Sequence, residues 1–362
     1  MNQSTPSVNT KKSKHLTLTK LNKQSLLKIK NSFFLNNDRV NHLTIALMVA
    51  FGIVFFFLVM NVVIWLKPIG ADQMMRNNWM NASQMVLTGF ALGISSYLLQ
   101  RVTNNKLADT AVMGFGNFNL IPIAILALCT NLSMDPSSTK MDINTYKTVM
   151  PIVVVCTSLL LCTVFNFASK EKVNFNFKKL LLSGIILNFV SVAIAFSIVA
   201  NADPKSLSII ERKTIGFIGD EPFIFNFYFS GACILVGFIW IMLNSWKLKL
   251  IIQNQQIATQ VGVKNKFTLC QMMLAIGLLV GASYSLSGDF VFVGLMAGNI
   301  AFKISKNKVH YGVLTSGLTG ALMVLITYFI FSNLINVPGN IIAPLIPLLI
   351  SPYFIYLVIV WR

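Results

Sequence analysis

Eight stretches of this chain stay apolar for about 20 residues, and that length limits the possible folds more than any other feature. In hydrocarbon every backbone amide must find its hydrogen bond within its own segment, so such stretches form helices that cross a bilayer. The runs fall at 43–66, 82–100, 148–168, 180–200, 223–245, 267–285, 311–332 and 341–361, and shorter ones at 112–130 and 290–302 make ten. The run at 290–302 is below spanning length, so it must be tilted, continued by its flanks or shielded by neighbouring protein. Only 11% of the residues are charged, against about 25% in a soluble domain. The expected fold is an all-α polytopic membrane protein of about ten transmembrane helices.

The formal charge of +18 alone would suit a nucleic-acid partner, but its distribution argues against one. With the loops placed alternately on two sides, one side carries 22 of the Lys and Arg residues and the other 7. The acids divide 3 and 8, with Asp109 on the basic side and Asp289 on the other. The positive-inside rule then predicts both termini in the cytoplasm and a multi-pass protein of the cell membrane.

Residues 1–42 form a basic extension with no acid before Asp38, and 43–362 form the transmembrane domain. Within the extension, 16–34 spaces Leu, Ile and Phe against Lys in a way that suits either an amphipathic helix on anionic lipid or a solvated tail. The first apolar run starts too far in, and is too long, for a cleavable signal, so a retained helix is expected. There is no GxxxxGK[ST] phosphate loop, HExxH zinc helix or GxSxG elbow, so no enzymatic activity is expected of this chain. Cys129, Cys156, Cys162, Cys233 and Cys270 lie in or at the ends of apolar runs without metal-type spacing, and His15, His42 and His310 are scattered.

Residues 85–117 read MVLTGFALGISSYLLQRVTNNKLADTAVMGFGN, an apolar helix ending at Gln100 followed by a polar turn. This is similar to the permease family of iron-siderophore, haem and cobalamin ABC importers, in which such a helix leads into a turn of pattern TRNPLADP and then LG. Thr103, Asn105, Leu107, Ala108, Asp109 and Gly114 match, while Lys106 and Thr110 replace the prolines. A second match spans 246–302, where Ala258, Val261, Gly262 and Val263 resemble the AxxLGV of the family's inner loop. Further on, Phe292, Val293, Gly294, Leu295, Ile300 and Ala301 resemble GFVGLIVPHIAR, with Gly298 and Asn299 in place of ProHis and Phe302 in place of Arg. The ending PLLISPYFIYLVI resembles ALIGAPFFLYLL. The arginines of the family's RLPR are missing near 78–81, where only Arg76 lies close.

The resemblance implies a diverged permease subunit of an ATP-driven importer for an iron chelate, haem or cobalamin-like compound. ATP would be used by a separate ABC ATPase and no cofactor would be bound by this chain. It also implies an extracytoplasmic substrate-binding lipoprotein and a second permease copy or homologue as partners. The loop at 246–266 would couple to the ATPase through Gln255, Ala258, Val261, Gly262 and Val263, with a short helix expected from Ile251 to Val261. Gly262 suits the left-handed residue that ends a helix. Thr103, Asn105, Leu107, Ala108 and Asp109 form the other inner-loop motif, with Asp109 expected to cap the following helix. Asn188, Ser191, Ser283, Ser285 and Asn299 are candidate pathway residues, and Arg76, Lys205, Arg212 and Lys213 are candidates for docking the binding protein.

Three glycine pairs at four-residue spacing, Gly89 with Gly93, Gly277 with Gly281 and Gly294 with Gly298, predict close helix approach. The longer runs are almost free of charge, which argues against a proton-coupled secondary transporter. That transporter without an ATPase, a polytopic membrane enzyme and a non-transporting scaffold remain the alternatives.

Overall fold

The structure is a computed structural model that describes residues 42, 44–56, 71–130, 143–169, 176–216, 223–305 and 308–335, with isolated helical positions between 345 and 359. The side chains of 71–78, 205, 215 and 332–334 are not described. Most of the basic extension, the stretch 131–142 and most of the run at 341–361 therefore lie outside the described residues. The chain divides into Met1–Leu47 and Met48–Arg362, and the account below concerns the second unit.

Six of the described helices are long and apolar enough to cross a bilayer. They contain the spans Trp79–Thr103, Asn144–Ser169, Phe177–Val199, Ile224–Gln253, Asn265–Ser287 and Val309–Phe331. We label the helices α1 (Thr44–Phe56), α2 (Ala71–Thr103), α3 (Phe115–Leu128), α4 (Ile143–Ser169), α5 (Phe177–Val199) and α6 (Pro204–Ile215). These are followed by α7 (Ile224–Gln253), α8 (Gln255–Gln260), α9 (Asn265–Ser287), α10 (Val293–Ser305) and α11 (Val309–Tyr328), which a π-helical turn extends through Phe329–Leu334.

Local chemistry sets several of these boundaries. The Asn176 side chain accepts from the amides of Lys178 and Lys179 and starts α5. Pro204 opens α6, where its missing N–H costs nothing, and Gly216 at φ +82° ends it. Sequence patterning missed α6 because it is amphipathic, not apolar, and lies in a stretch that reads as a hydrophilic loop.

α2 and α9 occupy the centre, with 78% of the apolar window of each buried, against 17% for α5 at the periphery. Small residues permit this packing. A side chain at Gly89 or Gly93 would strike the backbone of α11 at Gly320 or Ser316, and one at Gly320 would strike Gly89. Gly277 and Gly281 lie against Cys162, Ser158 and Val155 of α4, while Gly294 and Gly298 lie against Ser96 and Gln100 of α2. Each predicted glycine pair is therefore a point of helix contact.

At about 1.5 Å per residue, α3 and α10 reach only about 20 Å, short of a bilayer's roughly 30 Å. Both begin from irregular backbone. Asn104 (φ +50°) and Gly114 (φ +82°) precede α3, and Gly288 (φ +80°) and Phe292 (φ +68°) precede α10. Irregular backbone at that level is tolerated where protein shields it. Here Gly288 is packed on the α6 backbone at Lys213, and Gly114 is packed on Asn188 of α5.

Candidate functional site

The loop at 246–266 folds as a helical corner. α7 continues to Gln253, two residues beyond the expected start of the short helix at Ile251, because the break falls at Asn254, in extended conformation at φ −164°. The Asn254 side chain accepts from the amides of Gln256 and Ile257 and starts α8. The other end closes with Gly262 at φ +90°, where the Gly262 amide donates to Thr259 O (3.0 Å) and the Val263 amide to Ala258 O (2.9 Å). This is a Schellman closure, and it pairs Val263 with Ala258 as its apolar contact. Both residues are buried in the main core. Asn265 completes the corner by donating to Gln255 O (2.7 Å) and Thr259 Oγ1 (2.9 Å).

Anchored by Ala258 and Val263, the corner turns two apolar side chains outward. Ile257 is 54% exposed and Val261, four residues on, 63% exposed. Residues four apart on a helix are neighbours, so the two make one apolar patch next to exposed Gln256 and Gln260. Ile257 was not among the residues singled out by sequence. Its exposure follows from the burial of Ala258, which an apolar count over this loop does not reveal.

The 103–109 motif forms a tight turn. The Asn105 side chain accepts from the Leu107 amide (3.0 Å), the Thr103 hydroxyl donates to Leu99 O (2.7 Å), and Ala108 is buried while Leu107 is exposed. Asp109 does not cap α3, whose first turn has Gly114 at its start and no side-chain bond. Its carboxylate accepts instead from Ser96 on α2 and from the amides of Thr110 and Phe292. It thus ties the turn to α2 and to the start of α10, which is distant in sequence.

Asp289 lies in the turn before α10, and its carboxyl rests against Gly116 in the first turn of α3. Both acids lie outside the six spanning helices. Burial raises the Asp109 carboxyl above its ordinary range, against the hydrogen bonds that lower it. Burial and then repulsion from Asp109 raise Asp289 to about 7. The loop assignment put these two acids on opposite sides of the membrane, whereas the structure brings them into one junction. The missed signal was an acid beside an apolar run too short to span.

The five pathway candidates do not converge. Ser283 bonds Val280 O (2.9 Å), and Ser285 joins Asn226 and Ser230 in a buried network between α7 and α9. Asn299 holds Lys106 O (3.0 Å) and Leu295 O (2.9 Å). Ser191 is buried on α5, and only Asn188 is partly open, accepting from Asn117 of α3 (2.8 Å). Asn117 borders a cavity of about 220 Å³ between α3, α5 and α6, together with Glu211 and Thr214.

Of the docking candidates, Arg76 and Lys205 have side chains outside the described residues, and Arg212 is exposed on the last turn of α6. Lys213 turns inward. Its ammonium donates to Ser285 O (2.8 Å) and Leu286 O (3.1 Å) at the end of α9, where the helix dipole favours a cation. Among the described residues no group of His, Cys, Asp and Glu side chains is arranged to hold a metal, and the five cysteines are free thiols.

Several helices long enough to cross a bilayer, two short helices starting inside the bundle and a capped corner between α7 and α9 define an all-helical, multi-pass membrane protein. The chain belongs to the FecCD transport family, whose model matches residues 40–360. It is similar to the petrobactin import system permease protein YclO of Bacillus subtilis, at 22% identity over 76% of this chain and 85% of that protein. The hemin transport system permease protein HmuU of Yersinia pestis is 24% identical over 76% of this chain and 79% of its own length. The vitamin B12 import system permease protein BtuC of Vibrio cholerae is 26% identical over 65% and 67%. Among solved structures, a metal-chelate type ABC transporter in an inward-facing conformation shares the fold, with TM-score 0.72 at 17% identity, covering 87% of this chain and 98% of that one.

Proposed function

We propose that this chain is the membrane-spanning subunit of an ATP-driven importer for a metal chelate of the siderophore, haem or cobalamin kind. A separate ABC ATPase hydrolyses ATP on the cytoplasmic side, and this chain binds no cofactor of its own. A second permease copy or homologue completes the pathway, and an extracytoplasmic lipoprotein delivers the cargo. The reading has ten spans with both termini in the cytoplasm, in keeping with the 22 to 7 division of basic residues. Cargo moves by alternating access, as ATPase closure shifts the pair of permeases between outward and inward states.

The observation that carries this reading is the apolar patch of Ile257 and Val261 on a corner held rigid from both ends. A six-residue helix with a side-chain cap, a Schellman closure and two buried anchors is built to transmit a push. Its exposed patch suits a groove on an ATPase, with Gln255, Ala258, Gly262 and Val263 setting its shape. On the outer side, Asn117, Glu211 and Thr214, which line the cavity behind α6, and Asn188, bonded to Asn117, are the proposed cargo-facing set. Arg212, with Arg76 and Lys205, is the proposed docking cation set.

The test is a double substitution, Ile257→Ser with Val261→Ser, in the reconstituted transporter. Both side chains are exposed, so the variant should insert and melt as the wild type does. Coupled transport should fall at least tenfold, corresponding to about 1.4 kcal/mol of lost contact. Unchanged transport would remove the corner from the mechanism.

A further inference from the structure

A groove of about 410 Å³ runs between α4, α7 and α9 and shares no lining residue with the cavity behind α6. Its walls include Leu159 of α4, Trp240 of α7 and Phe267 of α9. Gly237 brings α7 close to α9 beneath it, since a side chain there would meet Leu279 at 3.2 Å and Ala275 O at 3.5 Å. Trp240 and Phe267 are exposed, so the groove opens outward from the bundle. All three helices are long and apolar enough to cross a bilayer, and the opening therefore faces lipid.

The groove has the length of one leaflet. Along α9 its lining runs from Phe267 to Leu278, about 16 Å at 1.5 Å per residue. The hydrocarbon of a single leaflet is about 15 Å deep, half of a bilayer's roughly 30 Å. One acyl chain laid along the groove thus reaches from the membrane surface to the midplane.

Its two ends differ in charge. The end at Val236 and Leu278 is apolar. At the other end Lys264 stands one turn before Phe267 and is exposed. On α7 the face of Gly237 and Trp240 continues through Asn244 to Lys247, about 10 Å beyond Trp240. The Lys247 ammonium donates to Asn244 Oδ1 (3.0 Å) and lies 5.9 Å from the centre of the Trp246 ring. That bond uses one of its three hydrogens. An exposed Trp beside Lys is the composition of a membrane–water boundary. Lys249 and Lys266 add to the charge, and no acid occurs from 222 to 288 to offset it. Gln271, the one side-chain amide in the lining, lies one turn inside Phe267 and leans toward the basic end, as helical side chains lean toward the N-terminus.

We propose that this groove binds one anionic phospholipid, with an acyl chain along α9, the phosphate between Lys264 and Lys247, and an ester carbonyl on the Gln271 amide. A neutral lipid would fill the apolar part and leave the lysines without a counter-charge. A second copy docked through the same face, in the same membrane orientation, would bring one basic end against the other and be repelled. The inference rests on the orientation proposed above in placing the site in the inner leaflet, where anionic lipid sets a negative surface potential. Lipid binding is read without an ATPase or cargo, so its failure and that of the importer reading are told apart.

The experiment places the full chain in nanodiscs of phosphatidylcholine with a minority of phosphatidylglycerol, extracts it in mild detergent and counts the retained lipids of each kind by native mass spectrometry. The wild type should keep one phosphatidylglycerol in preference to phosphatidylcholine. Lys247→Gln with Lys264→Gln should cut that preference about 30-fold, because each lysine near an anionic surface contributes about a factor of five. Neither lysine belongs to the buried core, so the double variant should melt in pure phosphatidylcholine as the wild type does. Cys270→Phe fills the groove from α9 and should lower retention of both lipids with the lysines intact. The inference is wrong if the wild type keeps the two lipids equally, if either variant retains lipid as the wild type does, or if Cys270 cross-links to a second copy in the membrane.

Discussion

Gly262→Val allows the proposed coupling role of the 255–263 corner to be tested with a magnitude worked from backbone geometry alone. Nothing lies within 4 Å of the position a side chain would take there, so the substitution brings no steric clash with the rest of the protein. The cost is conformational: at φ +90° an L-residue pays about 1–2 kcal/mol, and a β-branched one falls at or above the upper end. The closed corner then becomes about 30-fold less populated relative to its opened forms, and it loses the bonds from Gly262 to Thr259 and from Val263 to Ala258. Hydrogen exchange of the 255–263 amides should rise by a similar factor, while the exchange of α9 and the thermal melt of the bundle stay as in the wild type. Transport driven by the ATPase should fall in parallel, and Gly262→Asn, which tolerates left-handed backbone, should recover most of it. Fast exchange in Gly262→Val with transport unimpaired would refute the argument that corner geometry carries the coupling.

Other expectations follow from the packing. Asn265→Ala removes the donor to Gln255 O and Thr259 Oγ1, so the same amides should exchange faster by a factor matching about 1–2 kcal/mol. Gly320→Ala drives a methyl into the Gly89 carbonyl at the α2–α11 crossing, which should lower stability by about 1–3 kcal/mol in a detergent melt. Lys213→Met takes the cation off the end of α9, leaving Ser285 O and Leu286 O without it, and should destabilise the protein even though a surface docking role would predict no such effect.

The sequence showed the helices whose burial follows from composition, and it showed their contacts where small residues repeat. The pairs Gly89/Gly93, Gly277/Gly281 and Gly294/Gly298 name three crossings because close approach has few chemical solutions. The end of the 255–263 corner was likewise legible, since a left-handed closure calls for a glycine and Gly262 was the one available. Its start was not: α7 stays helical through Gln253, and the break depends on how the Asn254 side chain turns to meet two amides. α6 escaped because an amphipathic helix has no apolar run. Asp109 and Asp289 were assigned to opposite loops because alternation assumes that every run crosses. Two short helices begin from turns folded back into the bundle, and tertiary packing alone shows where those turns meet.

The most direct test of the central claim is to purify the tagged protein from its native membrane in mild detergent and identify what remains bound by mass spectrometry. The account predicts a stoichiometric ABC ATPase, together with a second permease copy or homologue. Reproducible absence of any ATPase, from a preparation that retains other membrane complexes intact, would contradict it.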